Sequence, residues 1–574
     1  MPVFHFNFNL NNGLPRRPLS LWSQLLILLF GLTILLTHLG DTRVLTRHEV
    51  LAAQPAREML HSADWRRWML PTLAGQSREA KPPGMMWLIA ASIYFFRSES
   101  EWVARLPSAL AGLWTALMIA RLAARWFGDS AGRLAGLICL SSFYLLMQAK
   151  LSEADMALTA TVCAALCAVA EGVIDSPFGM NTKPKARWTF WLALAAAFLL
   201  KGPIGLMFVA LAIATFLLLC RRDWKRILFL LDPPAIIACT ILMVAWPLIA
   251  WRLDPNIINV WHSEAIGTAT GKFGSDPIYY YLGSVPLMLM PWTPFVVIGL
   301  LRGPNAELSG PVESQVNRAV VWRFLLAWFI PGIIVLSIGI KLKSHHYAFP
   351  ILPPLAVMGA LGMDYYTRRQ ATRAQPLIWP WFLAACAAGA WIIIALPQIA
   401  VPMKHPLVKL DMLLCVGGLF ALHYERARRP RATIAAYLLT AWAISIGVQS
   451  WVMPAQDDFK FQADFARAVN AKVPPGAVVY MLGHREEEQE AEYAYYLRFP
   501  MQRLSTAAEF ASLAQSTDGQ PFYAIAPAGM IPELSQSGAM EIVDRCTGLR
   551  ARETESDRLQ LLRFTPPPEP ITRP

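Results

Sequence analysis

Charge is the scarcest ingredient of this chain. Only 16% of its 574 residues are charged, against 55% hydrophobic, and the mean hydropathy is +0.39. That balance excludes an ordinary soluble protein. Apolar runs of about 20 residues recur along the chain, each long enough to cross a ~30 Å hydrocarbon core. Cysteine is sparse as well. Seven of the eight cysteines (Cys139, Cys163, Cys167, Cys220, Cys239, Cys386 and Cys415) lie inside apolar runs, and no CxxC is present. The polar C-terminal part holds only Cys546, so it has no internal disulfide to form. The sequence has no internal repeat, which argues against the repeat-built transporters. It also lacks a single basic face. The net charge of +12 is spread over many short loops, which speaks against a nucleic-acid partner.

What is present is a series of spans punctuated by short basic loops. Arg16-Arg17 precede the first apolar run, and no small-residue cleavage site follows it. The expectation is therefore an uncleaved first span with its N-terminus cytoplasmic. Thirteen crossings are predicted, at 19–39, 102–122, 131–149, 156–174, 188–200, 204–220, 227–251, 278–301, 320–340, 348–366, 376–396, 407–424 and 432–452. The short run 82–97 begins Pro-Pro, and counting it as a crossing would turn the Lys/Arg-rich loops outward. It is read as an interfacial or re-entrant helix of the external loop 40–101.

Three domains follow: a transmembrane domain over 1–454, a small external α/β domain over 455–564, and a Pro-rich disordered tail over 565–574. Within the α/β domain the texture predicts helices near 459–469, 490–497 and 531–537, with strands at 477–482, 522–526 and 558–564. The 21 Trp and 15 Tyr suit interfacial belts.

With this orientation the ionisable residues fall at the outer ends of spans and in external loops, with almost none mid-span. A transporter holds its cargo near the bilayer centre, so this pattern favours chemistry at one surface. The stretch from Asp41 to Phe96 packs acid, base and histidine beside Trp65, Trp68 and Trp87. It reads as the floor of a site for a lipid-borne, charged substrate. A phosphate leaving group needs cations. Lys81, stiffened by Pro82-Pro83, is one; Tyr347, His346, Lys341 and Lys343 supply donors from a second direction. An acceptor needs a general base, for which Asp155 and Glu49 are the candidates.

Each reading has a plainer rival. Lys81 and Lys201 could be snorkelling anchors, Asp155 a helix cap, and Glu49 a surface charge. His48, Glu49, Glu79, His262 and Glu264 could together hold a divalent metal such as zinc or magnesium, although no spacing among them is diagnostic.

Several motifs occur together in one order. They are His48-Glu49, Ala56 to Leu60, Lys81-Pro82-Pro83, Ala104 to Leu110, Glu153-Ala154-Asp155-Met156, Lys201-Gly202-Pro203, Tyr279-Tyr280-Tyr281 with Pro291-Trp292, and Lys343 to Pro350. Over about residues 20–365 this resembles the membrane glycosyltransferases related to the 4-amino-4-deoxy-L-arabinose transferase of lipid A and to the protein O-mannosyltransferases. The resemblance implies a polytopic α-helical protein of the C-type glycosyltransferase fold, with thirteen spans and a periplasmic tail. It implies an undecaprenyl-phosphate-linked sugar as donor, and lipid A or another envelope glycan or protein as acceptor. It also implies that Glu49 and Asp155 are the important carboxylates and that Lys81 and Tyr347 contact the lipid phosphate. The chain departs from the family pattern at His48, where Asp is usual, and at Ala80, where Glu is usual. A flippase for a lipid-linked substrate is the alternative of another class. A catalytically silent envelope-assembly protein is a third.

Overall fold

The structure, a computed structural model, describes residues 18–40, 44–73, 76–77, 81–175, 184–220, 224–270, 274–302, 318–370, 401–455, 460–483, 493–499, 501–504, 506–516, 520–548 and 554–565. The predicted crossing 376–396 and Glu79 lie outside these residues. Packing divides the chain into two units. One comprises 1–39, 80–85 and 105–455; the other comprises 40–79, 86–104 and 456–574.

The first unit is helical. Among the described residues, six helices are long and apolar enough to cross a membrane, or up to nine if each of three bent pairs is one span. The bent pairs account for three of the expected straight crossings. Asp129–Ser141 turns by 66° into Phe143–Ala149, Tyr280–Met288 by 109° into Thr293–Arg302, and His345–Ile351 by 68° into 353–366. The first apolar helix, Leu21–Leu36, is capped at its C-terminal end by Lys150, whose buried ammonium donates to the carbonyls of Ile34 and Thr37. Those are the orphan carbonyls that a helix end must satisfy. Arg105 donates to the Leu39 carbonyl at 2.9 Å in the same way. Deeper in the unit, Thr293–Arg302 and Pro353–Gln370 cross so closely that a Cβ on Gly299 would lie 1.9 Å from the Met358 carbonyl oxygen. Small residues at such crossings let two backbones touch in an apolar solvent.

The helix Ala154–Val173 and the helix Pro184–Lys201 pack against each other, joined by a short connection. Antiparallel neighbours of this length bring the start of one beside the end of the other. At the far end Arg125 pairs with Asp175 at 2.9 Å, and the Trp126 indole donates to the same carboxylate at 2.7 Å.

The second unit is built on a five-stranded mixed sheet, ordered Met501–Leu504, Val479–Leu482, Phe522–Pro527, Leu559–Thr565, Ala539–Arg545. The first three strands run parallel and the last two pair antiparallel. Successive side chains of Leu559–Thr565 enter opposite cores: Leu561 packs with Phe465 and Val469, Leu562 with Phe510 and Phe522. A strand covered on both faces has no polar alternation to show.

The loop helix Arg47–His61 belongs to this unit, although the sequence reading had kept loop 40–101 with the spans. Arg57 is the reason. Its guanidinium donates to the carbonyls of Ala494, Tyr495 and Leu497 at 3.3, 2.8 and 2.9 Å, and its Nε lies 2.7 Å from the Glu99 carboxylate. Beside it the Leu45 N–H donates to the Tyr496 hydroxyl at 2.9 Å, and that hydroxyl donates to Glu101 at 3.0 Å. Burial, and then the Glu101 carboxylate, push the Tyr496 phenol well above its ordinary range, which keeps it a donor.

Candidate functional site

The site forms where the two antiparallel helices of the first unit meet. Asp155 sits in the first turn of Ala154–Val173, two residues past the cap position, which Glu153 occupies. Lys201 is the last residue of Pro184–Lys201, and Gly202, at φ +67°, turns the chain out of that helix. A glycine in this left-handed region is the usual helix stop, and Pro203 prevents continuation. An acid at a helix start and a base at a helix end each suit the local macrodipole. Here the two meet: the Lys201 ammonium pairs with Asp155 Oδ1, with side-chain exposures of 18% and 7%.

The 3-10 turn His345–Ile351 closes over this pair. The Lys201 Nζ lies 5.3 Å from the centroid of the Tyr347 ring, within cation–π range. His346 is held by its own turn, with Nδ1 2.8 Å from Ser344 Oγ. His346 and Lys81 lie within electrostatic reach of the Asp155 carboxylate, and Lys81 is exposed. The structure thus brings together four of the residues read from the sequence, Asp155, Lys81, His346 and Tyr347, around Lys201. Lys201 itself was passed over as a snorkelling anchor. The signal that identifies it is the length of the two helices, which returns the chain to its starting level.

Lys343, expected to face a phosphate, is buried and turned another way. Its Nζ donates to the carbonyl of Asp276 at 3.1 Å, and its N–H to Asp276 Oδ2 at 2.8 Å. Asp276 was not singled out in the sequence. Its only forewarning is an isolated acid just before the Tyr279-Tyr280-Tyr281 run.

Glu49 is placed in the second unit, fully buried at the third position of Arg47–His61. Its Oε2 accepts the Thr46 N–H at 2.9 Å, which makes it the acid of a capping box. Of the metal candidates, His48 and His262 are exposed, Glu79 lies outside the described residues, and Glu264 is described only as part of the helix Ile257–Thr270. Among the described residues no group of three or more His, Cys, Asp or Glu could hold a metal ion.

The chemistry of the corner is that of an anion site. Lys201 pairs directly with the Asp155 carboxylate, Lys81 and His346 lie within its electrostatic reach, and the Tyr347 ring flanks Lys201. Comparison with known proteins agrees in form. The structure superposes on that of ArnT from Cupriavidus metallidurans bound to undecaprenyl phosphate with a TM-score of 0.77, at 20% identity, covering 94% of this chain and 97% of that one. The chain has the C-type glycosyltransferase fold in its ArnT-like form. The apo state of the same ArnT gives 0.75 at 19% identity, over 94% of this chain and 97% of that one.

Residues 80–251, which include Lys81, Asp155 and Lys201, match the model of the dolichyl-phosphate-mannose-protein mannosyltransferase family. Among curated proteins, the undecaprenyl phosphate-alpha-4-amino-4-deoxy-L-arabinose arabinosyl transferase of Enterobacter sp. (strain 638) is 26% identical over 396 residues, 67% of this chain and 66% of the relative. The protein of the same name from Yersinia enterocolitica serotype O:8 / biotype 1B is 28% identical over 351 residues, 59% of this chain and 58% of the relative. The matched stretches thus span 66% and 58% of these relatives, less than two thirds of either.

Proposed function

We propose that this chain transfers a sugar from an undecaprenyl phosphate donor to lipid A or another envelope acceptor. The observation that carries the reading is the corner itself: Lys201, Lys81 and His346 gathered on the single carboxylate of Asp155, with Tyr347 over Lys201. It lies at helix ends, where a lipid headgroup sits, rather than mid-span. The similarity to transferases named for undecaprenyl phosphate supports the same donor.

In this reading the reaction takes place on the periplasmic face of the bacterial inner membrane. The N-terminus is cytoplasmic, thirteen spans cross the bilayer, and the α/β domain lies outside. Both helix ends that carry the pair would face the donor. Lys81, Lys201 and the Tyr347 hydroxyl neutralise the phosphate as its bond to the sugar carbon breaks. The acceptor oxygen forms the new bond from the opposite side, with inversion, and gives its proton to a carboxylate. Asp155, paired with Lys201 on the leaving-group side, holds that ammonium against the phosphate. Glu49 steadies the start of the external-loop helix Arg47–His61 through its capping box. Part-buried Lys201 contributes more than exposed Lys81, because less water is left to screen it.

The test is turnover of an undecaprenyl-phosphate-linked sugar by the purified chain. Lys81→Ala should cut transfer by about a hundredfold or more while leaving membrane insertion intact. Transfer at the unaltered rate would remove Lys81 from the site, and movement of lipid-linked substrate across vesicles without product would reject the reading in favour of a flippase. Mass spectrometry of lipid A and of envelope glycans, with and without the chain, identifies the acceptor.

A further inference from the structure

The 3-10 turn that carries His346 and Tyr347 is seven residues long and has no side-chain cap at Ser344. Turns of this kind have poor internal hydrogen-bond geometry and do not fix their own orientation. The orientation here comes from a different segment. The Asp276 N–H donates to the Lys341 carbonyl at 2.9 Å, and the Lys343 N–H donates to Asp276 Oδ2 at 2.8 Å. The Lys343 ammonium then donates to the Asp276 carbonyl at 3.1 Å. One residue further on, the hydroxyl of buried Tyr281 donates to the Ser344 carbonyl at 2.9 Å. One further still, the Tyr280 hydroxyl lies 2.8 Å from His345 Nδ1, and Tyr144 stacks on that imidazole at 5.0 Å. Three consecutive residues, Lys343 to His345, are gripped in order by 276–281. The next two, His346 and Tyr347, are the ones turned toward Lys201 and Asp155.

We propose that Asp276 and Tyr281 are positioning residues that set Tyr347 against the Lys201–Asp155 pair and so tune the hold on the donor phosphate. This rests on the function proposed above. Neither residue touches the pair; each acts through the backbone of the turn. The grip is made of directional bonds on a segment with few of its own, so losing one lets the phenol wander by more than the reach of a hydrogen bond.

The experiment measures binding of undecaprenyl phosphate to the detergent-solubilised full chain, in two backgrounds. In the native background, Tyr281→Phe should weaken binding by about threefold to tenfold. In a Tyr347→Phe background the same change should cost less than about twofold, because the group being positioned has lost its hydroxyl. Asp276→Ala should behave like Tyr281→Phe, and Asp276→Asn, which keeps an oxygen to accept the Lys343 N–H, should restore most of the affinity. A purely structural role would lower the melting temperature in both backgrounds with no such dependence. Equal loss of affinity in both backgrounds, with the unaltered chain binding well, overturns this inference alone. Failure of the unaltered chain to bind undecaprenyl phosphate overturns the proposed function, and this inference with it.

Discussion

The helix Ala154–Val173 is salt-bridged at both ends, and its two ends are not alike. Near its start Asp155 faces Lys201, with Lys81 and His346 within electrostatic reach, and the Glu153 carboxylate at the cap accepts from the Gln148 amide at 2.7 Å. Near its other end two carboxylates share one arginine: Arg125 lies 2.9 Å from Asp175 and 3.8 Å from Glu171. The first end is the more cationic and the second the more acidic. Both ends are held by ion pairs, so pairing by itself does not mark a functional site. The surplus sign does, because an anion gains from approaching one end and not the other. The partners differ in kind as well. Arg125 is a planar fork, and an indole donates to the same Asp175 carboxylate, a geometry that holds a helix in place. Lys201 is a point charge against one oxygen and a ring face, and an ammonium has three donors to offer.

The contrast breaks most sharply at the cationic end. Lys201→Met should reduce sugar transfer by at least about a hundredfold, since it removes the part-buried cation and deprives Asp155 of its direct partner. Asp155→Asn should do the same from the other side. The double variant, in which neither charge is left unpaired, should recover stability without recovering transfer. Thermal denaturation beside a transfer assay separates the two quantities. Recovery of transfer in the double variant would mean that the pair is architectural, like its counterpart at the other end.

How far the sequence leads follows the same line. Asp155, Lys81, His346 and Tyr347 were legible because ionisable residues at span ends are costly to ignore in so apolar a chain. Lys201 was visible but misread, since a lysine ending a span has an ordinary interfacial explanation. Only the pairing of two helices of matched length turns it inward. Asp276 was illegible: it acts through two backbone groups of a loop distant in sequence, and such bonds leave no mark on residue type. In the second unit, the strand Ala539–Arg545 was missed because it is an edge strand with no buried residue and no apolar–polar alternation. Met501–Leu504 was missed because four residues give too short a pattern. The attachment of Arg57 to carbonyls more than 430 residues away could not be read at all, because backbone oxygens are the same at every position.

At the acidic end the expected effect is smaller and of another kind. Asp175→Asn removes the partner of Arg125 but keeps an acceptor for the Trp126 indole. Stability should fall by about 1–3 kcal/mol, the cost of leaving a half-buried charge poorly paired. Transfer by the folded fraction should stay within about threefold of the unaltered chain. Hydrogen exchange would place the loosening in the last turns of the helix, near 170–175. A loss of transfer comparable to that of Lys201→Met would erase the difference between the ends.

The smallest effect belongs to Glu171. Its carboxylate is 37% exposed and 3.8 Å from Arg125, beyond hydrogen-bonding reach and open to screening. Surface pairs of this kind contribute about 0–1 kcal/mol. Glu171→Gln should therefore change neither transfer nor melting temperature beyond experimental scatter, at low or high salt. Should it instead raise the affinity for undecaprenyl phosphate, the charge at the acidic end would be felt at the cationic one. The two ends would then have to be treated as one field along the helix rather than as separate sites.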